Sequence, residues 1–521
     1  MKFSEHHSTR STNVPVLCAL TFLVIAPGRG TAAPIFTITN FSRSPFGSKV
    51  EWSAETNAFT NFFFQVESAP AIGSSFIPIS PPILEGSSLT FTDPVSTTMS
   101  VFYRVAASPA FTSLNQPGAF SAYPATNVNG LSTAGFAGAV FDGRYVYFVP
   151  YQNGVGAHGR VLRLDTESNF TAASSWAAYD ATTAVGAEAV GFTGGAFDGR
   201  YVYFSPQSTG PASGELRYDT QGSFSNASSW SFYNASLTDG LSCKGFQGAV
   251  FDGQYVYYVP HYNTNASPGG WNGVVLRFDT HGSFATPASW HAYDAGNTHG
   301  LPTKGYSSGV FDGRYVYFVP VVNGVQTNGN GCVLRYDTHG SFTNSTSWEA
   351  YDAGNTDGLV STIFKGAVFD GRFVFFAPYP NGGNCAVLRY DTLDVFTNAV
   401  SWSAFNATNI TGVVTEGYDG AVFDGRFVYF VPYHTAASLF HGRVLRYDTK
   451  GPFTSDSSWQ AFDAGNTDGL QTDGYVGAVS DGRFIYFSPY NNGSGFSGKV
   501  LRFDARLPRF VPPTVTGGSN L

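Results

Sequence analysis

Between Ala139 and Asp504 short apolar runs alternate with turn residues, and one order of runs and turns is written seven times. Each unit opens on small residues leading into Ala-Val-Phe, breaks at an Asp-Gly pair, and resumes as Arg-Tyr-Val-Tyr-Phe-Val-Pro. A variable loop follows, then Val-Leu-Arg-Tyr-Asp-Thr, then Ser-Trp-x-Ala-Tyr-Asp. The Asp-Gly pairs begin at Asp142, Asp198, Asp252, Asp312, Asp370, Asp424 and Asp481, a period of about 54 to 60 residues. Asp-Gly between two apolar runs is a strong hairpin signal. The third unit thus predicts strands over Gly248–Phe251, Tyr255–Val259 and Val275–Asp279, with a fourth from Trp290. The second strand is apolar on both sides, as it must be when both faces of its sheet are covered. A long period made only of strands means stacked β-units.

The first strand starts on small pairs, such as Gly138-Ala139, Gly194-Gly195, Gly366-Ala367 and Gly420-Ala421. Inner strands that crowd a common axis require such residues, and four-stranded units set radially about an axis make a β-propeller. The seventh unit stops at Asp504 without its Ser-Trp strand, and the missing strand stands ahead of the first unit. Phe120-Ser121-Ala122-Tyr123, with Asn127, Gly130, Leu131 and Gly135 behind it, aligns without a gap to Trp459-Gln460-Ala461-Phe462, Asn466, Gly469, Leu470 and Gly474. An N-terminal strand closing the last blade covers edges that would otherwise stay open. The expected fold is therefore all-β, a seven-bladed β-propeller over residues 119–507. In architecture it resembles kelch-type and related propellers, although the repeat signature is not the kelch one.

Residues 34–107 lack the repeat and carry alternating runs such as Lys49-Val50-Glu51-Trp52-Ser53. The close, Thr90-Phe91-Thr92-Asp93-Pro94 then Phe102-Tyr103-Arg104-Val105, resembles the fibronectin type III-like modules of secreted bacterial proteins. That resemblance implies a small β-sandwich-like module, joined by a linker at 108–118. Residues 508–521, rich in Pro, Gly and Ser, read as a flexible tail. Residues 1–33 read as a signal peptide: Lys2 and Arg10, an apolar run from Val14 to Ala26, and small residues Gly30 to Ala33. That run is shorter than a bilayer span and no later stretch reaches one, so a secreted, extracellular protein without a membrane span is expected. Only 12% of residues are charged and 16% are aromatic, which excludes disorder. A net charge of −8 without a basic stripe argues against a nucleic-acid partner. Cys243, Cys332 and Cys385 remain in the mature chain; a Cys332–Cys385 disulfide and buried thiols both fit.

Several positions recur in every unit. The third-strand series Arg163, Arg217, Arg277, Arg335, Arg389, Arg446 and Arg502, each with Asp two residues later, is expected to form ion pairs between blades. The series Trp176, Trp230, Trp290, Trp348, Trp402 and Trp459 is expected to pack blade edges. Loops such as Asp352–Leu359 and Asp463–Leu470 hold Asn355, Asp357, Asn466 and Asp468 at spacings that partly match a calcium loop. Ala353 stands where the first donor belongs and no Glu follows, so a Gly-rich turn is the competing reading and no cofactor is expected.

Chain divergence concentrates on one face, in the loops after each Val-Pro and between units, where function is expected on an even scaffold. Tyr151, Tyr379, Tyr433, Tyr490, His261 and His434 are the ligand-binding candidates there. The first functional reading is a glycan-binding, lectin-like or adhesion module, a monomer whose partner is an extracellular glycan or cell-surface protein. The second is a polysaccharide lyase or other carbohydrate-active enzyme, with His261, Tyr262, Tyr433 and His434 as acid–base candidates. The third is a protein-interaction scaffold. No nucleophile, phosphate-loop or paired-Cys motif points to another chemistry. Use of equivalent positions in several blades would favour a lectin, and one asymmetric cluster an enzyme.

Overall fold

The structure, a computed structural model, describes residues 112–506 except 208–213, 265, 267–269, 327–328 and 381–384, together with separate strands before and after. Residues 1–33, read above as a signal peptide, lie outside the described residues. The chain divides into two compact units, 117–505 and 1–116 with 506–521. No helix among the described residues is long and apolar enough to cross a membrane.

In the smaller unit Phe36–Ser44, Gly47–Ala54 and Thr90–Asp93 form one sheet, while Phe62–Ala69 and Val101–Pro109 anchor a second. Val50, Trp52, Phe64, Val66, Tyr103 and Val105 are buried. The Trp52 ring lies 6.0 Å from Phe64, and Phe41 lies 5.7 Å from Tyr103, so the sheets meet through aromatic contacts. Thr516–Gly518, within the segment read as a flexible tail, adds a strand beside Val101–Pro109.

The larger unit holds seven four-stranded antiparallel sheets in a propeller-like arrangement, six of them with each strand beside its neighbour in sequence. The first repeat runs Phe136–Phe141, Tyr145–Pro150, Arg160–Asp165 and Trp176–Asp180. The seventh sheet takes its outer strand from Phe120–Pro124, with Leu501 opposite Ala122. Closure by an upstream strand is thus observed in the register the alignment of Tyr123 with Phe462 gives.

The Asp-Gly turn explains its own signature. Asp142 Oδ1 accepts the Arg144 and Tyr145 N–H groups at 2.8 and 2.6 Å, and its Oδ2 accepts the Tyr147 hydroxyl at 2.8 Å. One carboxylate so satisfies three donors beside Gly143 at φ +103°. The inner strands then approach one another through glycine. A side chain on Gly138 would press on Gly194, one on Gly194 on Gly248, one on Gly366 on Gly420, one on Gly420 on Gly477 and one on Gly477 on Gly138, while Gly248 faces Ser308 at ordinary contact distance. That circuit closes the ring at its axis.

Between repeats the packing is aromatic. The outer-strand ring of each repeat stacks on the Trp of the next at 5.0 to 5.3 Å, from Tyr123–Trp176 to Phe405–Trp459. Phe462 stacks on Phe120 at the closure, 5.3 Å apart. The Trp series therefore packs edges as expected. Among the described residues the third-strand Arg series shows no ion pairs between repeats of the kind expected of it, and Arg335 pairs instead with Glu349 of its own repeat. Arg163 lies 4.2 Å above the Tyr145 ring and 4.3 Å from Phe224 of the next repeat, a cation held between two π faces. Arg217, Arg277, Arg335, Arg389 and Arg502 are sandwiched likewise. The Asp two residues on instead binds the Arg of its own turn, as in Arg144–Asp165 at 2.8 Å. Strand pairing places Tyr145 opposite Asp165, which brings the turn beside that carboxylate. Cys243, Cys332 and Cys385 are buried free thiols.

Candidate functional site

The residue after each second-strand Pro borders one mouth of the axis: Tyr151, Gln207, His261, Val321, Tyr379, Tyr433 and Tyr490 in repeats one to seven. Four of these are tyrosines in consecutive repeats around the closure. Their rings run Tyr151–Tyr490 at 6.1 Å, Tyr490–Tyr433 at 5.9 Å and Tyr433–Tyr379 at 5.9 Å, an unbroken half-buried arc. His434 joins its end, 4.3 Å from the Tyr433 ring. Gln152 donates to the Tyr490 hydroxyl at 3.4 Å. Five of the six ligand-binding candidates therefore assemble in one place.

Beneath the arc lies a pair that sequence reasoning did not single out. The second residue of each inner strand reads Ala137, Thr193, Gln247, Ser307, Lys365, Asp419 and Val476. In repeats two and four it donates to the next repeat, Thr193 to the Phe246 carbonyl at 3.1 Å and Ser307 to that of Phe364 at 2.9 Å. At repeats five and six the same positions carry opposite charges: Lys365 Nζ lies 3.5 Å from Asp419 Oδ2, with side chains 19% and 13% exposed. The ammonium also lies 4.8 Å above the Tyr379 ring. Burial raises the Asp419 carboxyl above its ordinary range, against the pull of Lys365 and His434.

The phenols sense that charge. Burial first, and Asp419 next, push the Tyr379 and Tyr433 hydroxyls upward. Tyr490 is pushed up to about 12 by burial and by Tyr151. All four stay protonated and can donate. Tyr379 Oη lies 3.0 Å from His434 Nε2, and His434 Nδ1 lies 2.7 Å from the Thr435 carbonyl. A carbonyl can only accept, so Nδ1 carries a proton and Nε2 is free to accept from Tyr379.

The four acid–base candidates divide between two places. Tyr433 and His434 belong to the arc in repeat six. His261, in repeat three, faces the Tyr306 carbonyl with Nδ1 at 2.8 Å and packs edge-on to Trp271. Burial and the Lys365 charge hold it down to about 4, so it is neutral at physiological pH. Tyr262, 38% exposed, also packs edge-on to Trp271, with ring centroids 5.2 Å apart. His158 and His441 brace loops: their Nε2 atoms meet the Ala134 and Glu416 carbonyls, while Nδ1 accepts the N–H two residues on. Asn272 and Asn330 fill the same place in repeats three and four.

The calcium candidates are engaged otherwise. Asp357 and Asp468 sit at φ +53° in tight hairpins, and their carboxylates accept the Ala404 and Ala122 N–H groups of the next repeat at 2.9 Å. Asn355 and Asn466 pair within those hairpins, opposite Val360 and Gln471. Among the described residues no three His, Cys, Asp or Glu side chains gather as a metal site.

No family model matches the chain, and no curated protein matches it. Among solved structures it is similar to the extracellular domain of a protein of B. thetaiotaomicron described as a hybrid two component system, at TM-score 0.41 and 11% identity, covering 90% of this chain and 55% of that one. A Bacteroides uniformis protein described as a 6-phosphogluconolactonase gives TM-score 0.36 and 13% identity over 78% of this chain and 95% of that one. The alpha-L-arabinofuranosidase of Lactobacillus brevis gives TM-score 0.28 and 11% identity over 53% and 90%. At these TM-scores the likeness carries no inference about this chain's chemistry.

Proposed function

We propose that the chain is a secreted seven-bladed β-propeller, preceded by a fibronectin type III-like module, that binds a glycan at the mouth of its axis. One observation carries the reading: four tyrosines at equivalent positions in consecutive repeats form a continuous arc above a Lys–Asp pair. A sugar ring offers an apolar C–H face and an equatorial rim of hydroxyls. Aromatic rings take the face, and charged groups held at fixed spacing take the rim. Calorimetric titration of neutral and acidic oligosaccharides tests this. Tyr379→Ala and Tyr433→Ala should each weaken binding by roughly 1 kcal/mol or more, with the fold retained. Full affinity in both variants would refute the site.

The Tyr379–His434 hydrogen bond supports a second reading, a carbohydrate-active enzyme on the same arc. A phenol donating to an imidazole of fixed tautomer is a proton-transfer pair. On that reading His434→Ala lowers turnover by about 100-fold while binding persists, followed by ultraviolet absorbance of unsaturated product or by reducing-end release. No turnover on any bound glycan leaves the lectin reading alone.

A further inference from the structure

We infer that the Lys365–Asp419 pair makes the mouth selective for neutral sugars carrying adjacent hydroxyls, and against uronates; this rests on the glycan-binding reading. Lys365 and Asp419 belong to neighbouring inner strands, one residue ahead of Gly366 and Gly420, and are each other's only charged partner within 4 Å among the described residues. An ammonium has three donors and a carboxylate about four acceptor sites. A contact of 3.5 Å uses one edge of each, and both side chains keep some exposure, 19% and 13%, through which an entering ligand can reach them. A neutral diol both donates and accepts, so it satisfies the two groups together and leaves the charge balance untouched.

A uronate cannot. Its carboxylate must either take Lys365 from Asp419 or lie beside the Asp419 charge, in a site where little solvent remains to screen the repulsion. Apart from Lys365, no Lys or Arg stands at the second inner-strand position or directly after the second-strand Pro in any repeat. His261 is neutral, held down to about 4, the four phenols are uncharged, and the Nδ1 of His434 is engaged by the Thr435 carbonyl. The inner-strand positions of the remaining repeats, Ala137, Thr193, Gln247, Ser307 and Val476, are all uncharged. Selectivity thus comes from a repulsive element built beside an attractive one.

The test is calorimetric titration with cello-, laminari-, xylo- and mannohexaose on one side and oligogalacturonate and oligomannuronate on the other. Wild-type protein should bind at least one neutral chain, and the uronates about tenfold more weakly or less. Asp419→Asn frees the Lys365 charge and should narrow or reverse that ratio. Lys365→Gln removes the ammonium a uronate would pair with and should widen it, so the two variants move in opposite directions even if one is less stable. Neutral binding with an unchanged ratio in both variants overturns the inference while the glycan reading stands. A wild-type preference for uronates also overturns it. Binding to neither class overturns both.

Discussion

Replacing Gly366 by alanine should destabilise the repeat unit far more than replacing Gly371, five residues along the same repeat. Both glycines hold a left-handed backbone, φ +94° at Gly366 and +102° at Gly371. The backbone strain of adding a side chain is therefore alike, about 1–2 kcal/mol at each. The surroundings differ. A Cβ on Gly371 meets nothing within 4 Å, whereas one on Gly366 would lie 2.5 Å from Gly420 Cα and 3.1 Å from its nitrogen. That neighbour is backbone of the adjacent repeat, itself packed against Gly477, so it yields only if the circuit of inner strands opens. Overpacking of this kind adds about 1–3 kcal/mol. The expected loss is then about 2–5 kcal/mol for Gly366→Ala against about 1–2 for Gly371→Ala. Urea unfolding followed by tryptophan fluorescence compares them, since each of the six repeat Trp residues from Trp176 to Trp459 bridges two repeats. The fourth repeat is an internal precedent: Ser308 occupies the circuit where the gap to Gly248 opens to 3.4 Å. Equal losses in the two variants would show that the inner strands are not in contact, and would undo the account of the axis.

Deleting residues 119–123 should cause aggregation or a large fall in melting temperature, because Lys499–Asp504 loses its outer partner and Trp176 and Phe462 lose the rings of Tyr123 and Phe120; scanning fluorimetry with size-exclusion chromatography reads this, and unchanged melting would sink the closure. Glu215, 1% exposed, accepts the Ala235 N–H, and burial lifts its carboxyl from 4.5 to about 8. The folded chain therefore holds this proton more tightly than the unfolded chain. Its stability is fullest below about pH 4.5 and falls as pH rises toward 8, by on the order of 3 kcal/mol at neutral pH. Glu215→Gln should remove that slope and stabilise the protein at pH 8, and a wild-type curve that rises over the same window relative to the variant contradicts the assignment.

The repeat, its turns and its closing strand were legible because they are written locally and periodically. Asp142 with Gly143 specifies a turn whatever surrounds it, and the match of Tyr123 to Phe462 needs no knowledge of packing. Contacts between repeats were less legible. Arg163 and Asp165 point to one side of a strand, so an ion pair across repeats was the natural reading. Only the register of strand pairing puts Asp165 beside Arg144 and leaves Arg163 between Tyr145 and Phe224. The arc was found because its residues vary in loops. Lys365 and Asp419 were missed because they vary inside the most constant strand, and comparing its second residue across the seven repeats was the signal that could have revealed them. His261 and Tyr262 looked equivalent to Tyr433 and His434 in sequence, and Trp271 packs on the first pair as Phe440 does on the second, but the repeats flanking the first pair carry Gln207 and Val321 where those flanking Tyr433 carry Tyr379 and Tyr490.

The shared seventh sheet also sets a direction for folding. Arg502 reaches the Ser121 hydroxyl across 381 residues of chain, and that separation spans the whole repeat unit. The first strand of this unit to leave the ribosome is thus the last to find its partner, and every shorter chain keeps an unsatisfied edge at each end. Local hairpins form early, but the loop-closure entropy of the final pairing is met only when synthesis is complete. The native barrier to opening is consequently assembled in one late step, so a nascent or truncated chain of any length before Asp504 remains a client of chaperones and proteases rather than a smaller stable ring.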